Sequence, residues 1–211
     1  ASLSIAPRVK RTYIYEVLRI TLSRYVAMPP QALRFGRESR GRPFLLDVDG
    51  APDFNLSDTE GGTVVAVARG LRVGIDLERM DRQPRVQALA KRYFGKDEAT
   101  ALASLDGEAA RRAFLFAWTA KESSCKATGT GIYGWLDQWT FACDAIGSDP
   151  QLTQVPNDAT PLAAWQHRRV APAEGYTAVL AAKGSIGSLS MYRSNEAQAI
   201  AAWAEHRVQS E

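Results

Sequence analysis

Thr63-Val64-Val65-Ala66-Val67-Ala68-Arg69-Gly70-Leu71-Arg72-Val73-Gly74-Ile75-Asp76-Leu77-Glu78 is the stretch on which the fold turns. A valine-rich run, a basic residue with a glycine, and then a strict alternation predict two strands joined as a hairpin at Arg69-Gly70. In the second strand Val73, Ile75 and Leu77 point to one face, and Gly74, Asp76 and Glu78 to the other. Two carboxylates at i and i+2 can hold one hard cation together, and Gly74, lacking a side chain, leaves room beside them for a ligand. A lone pair of acids on a strand is also what a solvated sheet edge carries, so this reading needs a second cluster.

Upstream, Phe54-Asn55-Leu56-Ser57 reads as a short strand opening a loop that ends at Gly61-Gly62. Turns are expected at Gly36, Gly41-Arg42-Pro43 and Gly50, after an amphipathic helix over Thr12 to Val26 that Met28-Pro29-Pro30 stops. Downstream of Pro84 the pattern turns helical, with helices near Val86 to Phe94, Lys96 to Leu105 and Glu108 to Thr128, the last ending at Gly129. Strand-like pieces follow near Trp139 to Cys143, Ala163 to Val170, Tyr176 to Ala182 and Leu189 to Tyr192, and a final helix near Glu196 to Arg207. The order predicts an α+β protein of two related halves, 1–70 and 71–193, closed by a helix within 194–211.

Composition narrows the class. With 45% apolar and 23% charged residues over 211 positions, the chain is neither largely disordered nor collagenous. Its most apolar runs are far shorter than the roughly 20 residues of a membrane helix, so no membrane is expected. Two cysteines, Cys125 and Cys143, make no disulfide framework, and a cytoplasmic location is the simpler expectation. Two isolated histidines, His167 and His206, argue against a zinc site. Residues 1–42 carry a net +7 and the remainder −4, a basic lobe suited to a phosphate-rich or acidic partner. The lobe has no zinc-finger or RNA-binding aromatic signature, and nucleic acid is not the expected partner.

The second cluster is Trp118-Thr119-Ala120-Lys121-Glu122-Ser123-Ser124-Cys125-Lys126. On a helix Trp118, Glu122 and Lys126 share a face. Joined to Asp76 and Glu78, the cluster supplies three carboxylates and two lysines. That set suits a magnesium ion bound to a diphosphate, with lysines neutralising phosphate charge.

Val73-Gly74-Ile75-Asp76-Leu77-Glu78 followed by Phe116-Ala117-Trp118-Thr119-Ala120-Lys121-Glu122-Ser123-Ser124-Cys125-Lys126 resembles the paired signature of the 4′-phosphopantetheinyl transferases, in their larger, monomeric, surfactin-synthetase-activating form. Gly41-Arg42-Pro43 resembles the family's Gly-Lys-Pro element and Phe54-Asn55-Leu56-Ser57 its Phe-Asn-x-Ser element. The resemblance implies a pseudo-twofold α+β fold with coenzyme A in the cleft between the halves. It implies transfer of phosphopantetheine to a serine of an acyl or peptidyl carrier protein, with release of adenosine 3′,5′-bisphosphate. By the same likeness Asp76, Glu78 and Glu122 would hold Mg²⁺, and Lys121 and Lys126 would meet phosphate oxygens. Arg42, Ser57, Arg11 and Thr12 would lie at the nucleotide's phosphates, and Glu122 would be the first candidate for general base, ahead of Glu98. A non-catalytic coenzyme A or carrier-protein binding module of the same fold is the rival reading.

Two departures accompany the likeness. Asp58 stands where the family usually has histidine, and about ten residues precede Arg11 where such relatives carry a longer segment. Carrier proteins of this kind are acidic, so Lys91, Arg92, Lys96, Arg111 and Arg112 are candidate docking residues.

Overall fold

The computed structural model describes residues 7–142 and 148–193, with side chains from residue 14 onward. The described residues divide into two compact units: a smaller one drawn from 7–36, 45–52 and 190–193, and a larger one from 37–44, 53–142 and 148–189.

In the smaller unit the first helix, α1 (Pro7–Ser23), starts earlier than the apolar spacing predicts and stops sooner. Its buried stripe is Ile14, Leu18 and Leu22, spaced by four. Beyond Leu22 the amides of Arg24 and Tyr25 bond back three residues, to Thr21 and Leu22, which tightens the last turn ahead of Pro29. Tyr15 meets Phe35 edge to face at 6.1 Å, and the Arg19 guanidinium lies 5.0 Å over the same ring. Strands β1 (Arg34–Arg37) and β2 (Pro43–Leu46) form a two-stranded ribbon. Helix α1 carries Arg11 and Thr12, whose side chains lie outside the described residues, as do Cys143, His206 and the expected closing helix.

The larger unit corrects the predicted hairpin. Strand β3 (Asp53–Thr59) runs on into the expected loop and pairs antiparallel with β4 (Gly62–Ala68), Thr59 facing Gly62 across the Glu60-Gly61 turn. The next strand, β5 (Arg72–Arg79), pairs with a distant segment. Three helices follow, α2 (Val86–Tyr93), α3 (Lys96–Ala103) and α4 (Gly107–Thr128), then the short β6 (Thr140–Phe141) and β7 (Leu152–Gln154). Strands β8 (Trp165–Val170) and β9 (Tyr176–Lys183) complete a three-stranded sheet in the order β5-β9-β8. Ala178 to Ala182 are all buried, so the central strand reads as a continuous apolar run. Leu189 to Tyr192, expected as a strand, has no strand pairing, and β7 had not been foreseen.

Helix α4 packs on one face of this sheet, where Val179 and Ala181 join a core containing Phe94, Phe114 and Trp118. The three rings stack in series, Phe94 on Phe114 at 5.2 Å and Phe114 on Trp118 at 5.5 Å. On the other face Val73, Ile75 and Leu77 pack with Ala178, Leu180 and Ala182, covered by Val64, Ala66 and Ala68 of β4.

Strand β3 reaches β5 in an unusual way. Alternate side chains of β3 accept alternate amides of β5: Asp53 Oδ2 from Val73 at 2.7 Å, Asn55 Oδ1 from Ile75 at 3.0 Å, and Ser57 Oγ from Leu77 at 3.2 Å. The free edge of β5 is thus satisfied by a ladder of side chains instead of backbone carbonyls.

Candidate active site

Gly74 decides where the site forms. A Cβ added there would lie 2.1 Å from the Ser123 carbonyl and 2.4 Å from the Ala127 amide nitrogen, so the residue lets α4 rest directly on β5. The space beside the acids that sequence assigns to a ligand is filled by helix backbone. That close approach puts the next residue on the same strand face, Asp76, against the last turns of α4, where Lys126 sits one helical turn beyond Glu122.

Asp76 Oδ1 accepts hydrogen bonds from Ser57 Oγ at 2.9 Å and from Lys126 Nζ at 2.6 Å. Lys126 also donates to Ser57 Oγ at 2.8 Å, and the Leu77 amide is that hydroxyl's other donor. Ser57 therefore uses its one proton and both lone pairs, and its hydroxyl is fixed in orientation. The second oxygen of Asp76, Oδ2, is buried without a hydrogen-bond partner. An uncompensated carboxylate oxygen at such a depth is costly and marks a position where a positive group belongs.

These groups line a cleft of about 530 Å³ together with Leu56, Asp58, Thr59, Leu77, Glu78, Arg82 and Glu122. Four carboxylates, Asp58, Asp76, Glu78 and Glu122, face two cations, Arg82 and Lys126. Burial pushes Glu122 up to about 7, and the neighbouring Asp76 charge adds to this against the pull of Lys126. Glu78 is raised as well, first by burial, with Arg82 opposing and Asp76 adding to the shift. Among the described residues no three acids, histidines or cysteines stand close enough to hold a metal as they are. Arg82 and Lys126 instead engage Glu78 and Asp76. The donor set still fits a hard divalent cation: oxygen ligands only, an unpartnered buried oxygen on Asp76, and an excess of negative charge.

Several predicted site residues are placed elsewhere. Lys121 is fully buried: its ammonium pairs with Glu98 Oε2 at 2.6 Å, donates to the carbonyls of Leu136 (3.0 Å) and Trp139, and lies 4.6 Å over the Phe94 ring. Glu98, the weaker base candidate, also accepts the amides of Gly95 and Phe141 and is only 4% exposed. Arg42 turns inward, forming a bidentate pair with Asp53 at 3.0 and 2.7 Å and donating to the carbonyls of Lys126 and Val73. With Arg72, which donates to Ala127 and Thr128, it satisfies the last carbonyls of α4, where cations are favoured by the helix dipole. The helix then ends at Gly129, φ 74°.

Arg111, a candidate for carrier docking, is held by Glu108 and by the carbonyls of Met80 and Arg82, so it fastens the segment after β5 onto α4. Cys125 is buried in the core, its thiol pushed up to about 12 by burial, which fits a packing role. Two contributors escaped the sequence reading. Arg82 lies four residues beyond Glu78 with no periodic pattern to flag it. The Asp-x-Asn-x-Ser alternation of 53, 55 and 57 was visible as a polar face of β3, yet only the structure shows what that face meets.

The larger unit thus holds an acid-lined cleft with Lys126 and Arg82 at its wall. Residues 72–181, just over half of the chain, match the 4′-phosphopantetheinyl transferase superfamily, and the chain belongs to that family. It is 38% identical over 122 residues to slr0495 of Synechocystis sp., covering 57% of this chain and 50% of that one. It is 38% identical over 118 residues to the 4′-phosphopantetheinyl transferase HetI of Nostoc sp., covering 55% and 50%. Against the 4′-phosphopantetheinyl transferase Sfp of Bacillus subtilis it is 31% identical over 153 residues, covering 72% and 65%. The chain spans about half the length of the first two relatives.

Proposed function

We propose that this chain transfers the 4′-phosphopantetheine arm of coenzyme A to a serine of an acyl or peptidyl carrier protein, releasing adenosine 3′,5′-bisphosphate. The observation that carries the reading is the Ser57–Asp76–Lys126 triad at the wall of an acid-lined cleft, with one Asp76 oxygen left unpartnered. Family membership and the named relatives support the same chemistry.

Asp76, Glu78 and Glu122 are the residues to hold Mg²⁺. When bound, the ion would neutralise charge on the diphosphate as the leaving group departs. Lys126, oriented by Ser57 and partly exposed to the cleft, offers its ammonium to phosphate oxygens. Burial and the Asp76 charge raise the Glu122 carboxyl to about 7 when no ion is bound, and Glu122 is also the first candidate to take the proton of an attacking serine hydroxyl. Ser57 acts by fixing Lys126 and Asp76, and Arg42 by holding the end of α4. Lys121 is withdrawn from the phosphate set because its donors are consumed in the core. Arg11 and Thr12 remain candidates for the nucleotide phosphates on the sequence resemblance alone. The proposal includes the pseudo-twofold halves 1–70 and 71–193, a monomer, and a cytoplasmic location.

The test is the intact mass of an apo carrier protein after incubation with this chain, coenzyme A and Mg²⁺. Addition of one phosphopantetheine, absent without metal and with Asp76→Asn or Lys126→Ala, is the expected result. Coenzyme A binding with no mass gain on any of several carriers would overturn transfer in favour of a binding module.

A further inference from the structure

Arg82 has no role in the proposal above, yet it is the more exposed of the two cations lining the cleft, 39% against 27% for Lys126. Its backbone is fixed: Arg111 Nη1 donates to the Arg82 carbonyl at 3.1 Å and also to that of Met80. Its side chain is not fixed in the same way. The guanidinium bonds Glu78 Oε1 and lies with its central carbon 5.8 Å over the Trp118 ring. The pair is asymmetric in exposure, 39% for Arg82 against 12% for Glu78. If the two separate, it is the arginine that can go to solvent or to the indole face, while the carboxylate stays in the cleft.

We infer that Arg82 competes with a divalent cation for Glu78 and thereby sets the cation affinity of the site. This rests on the reading of Asp76, Glu78 and Glu122 as cation ligands. A carboxylate with one oxygen engaged by a guanidinium carries less negative potential toward a second cation, so an ion at Glu78 competes with that contact. Arg82 is then a positioning residue, present in the cleft but acting through Glu78. Lys126 plays the corresponding part on Asp76, with the difference that Ser57 also holds it there.

The experiment is calorimetric titration of the full chain with Mn²⁺, without coenzyme A, comparing the wild type with Arg82→Gln, Arg82→Lys and Asp76→Asn. Thermal melts of each verify folding. Arg82→Gln should bind Mn²⁺ about three- to tenfold more tightly, the size of a partly buried ion pair, with Arg82→Lys staying near the wild type. A gain in affinity is an outcome that loss of structure would not produce. Unchanged or weaker binding in Arg82→Gln, or equal tightening in Arg82→Lys, would overturn the inference, provided Asp76→Asn still abolishes binding. If Asp76→Asn binds Mn²⁺ as well as the wild type, the cation-site reading itself fails, and the inference with it.

Discussion

Helix α4 carries two lysines five residues apart, and each meets a carboxylate at 2.6 Å. The two regions they serve are chemically alike and behave as opposites. At Lys121 the charged groups are matched: the ammonium has Glu98 and two carbonyls, and Glu98 has two backbone amides besides. At Lys126 the account is left open, with one Asp76 oxygen unpartnered, Lys126 partly exposed, and Glu122 holding its proton up to about pH 7. Saturation turns an ion pair into a structural clamp, and incompleteness leaves a charged oxygen to be met by something else. Distance and residue type alone do not separate the two cases.

The sharpest way to break this comparison is to remove each ammonium in turn. Lys121→Met should lower unfolding free energy by about 3–5 kcal/mol in urea titrations, because Glu98 is left charged and buried. Lys126→Met should cost less stability than Lys121→Met, because Lys126 is partly exposed and Ser57 still donates to Asp76, while lowering transfer by about a hundredfold or more. Equal stability losses would erase the distinction.

The enclosed side of α4 should also be the acid-sensitive one. His167 is 4% exposed, 2.8 Å from Ser124 Oγ, and burial lowers it to about 3 from an ordinary 6.5. The unfolded chain therefore takes up a proton that the native one refuses. His167's contribution is complete above pH 6.5, and it falls by up to about 1.4 kcal/mol per pH unit until the native residue titrates. His167→Gln should flatten that part of the stability-against-pH curve, and an unaltered slope would show that other groups govern it.

A smaller effect sharpens the role of the arginines. Arg72→Gln removes donors to the Ala127 and Thr128 carbonyls and a bidentate pair with Glu38. It should lower the melting midpoint by an amount equivalent to about 1 kcal/mol, and Mn²⁺ affinity should not change.

How much of this was legible in the sequence follows from the range of each interaction. The alternation of Val73 to Glu78 placed both acids on one face of a strand, and the spacing of Trp118, Glu122 and Lys126 placed them on one face of α4. The same periodicity separates Lys121 from Lys126, since five residues on a helix carry a side chain well around the axis. A family pattern read position by position hides that difference. The β4–β5 hairpin failed because neighbours in sequence are the default pairing, whereas β5 finds β9 a hundred residues later, which no local pattern encodes. Arg42 could not be distinguished from a phosphate ligand until Asp53 and the end of α4 were seen around it. Arg82 follows the motif without belonging to it, and only its contacts single it out.

The side-chain ladder between β3 and β5 has a consequence for how this site can vary. Backbone pairing between strands survives almost any substitution, because each residue except proline brings the same amide and carbonyl. Here the seam depends on Asp53, Asn55 and Ser57, so single codon changes can unfasten it rung by rung. Ser57 is at once the last rung and the partner of Asp76 and Lys126. The stitching that aligns the two strands thus ends inside the acid-lined cleft, so a substitution in that short polar run would shift the cleft's alignment without touching any of the acids that line it.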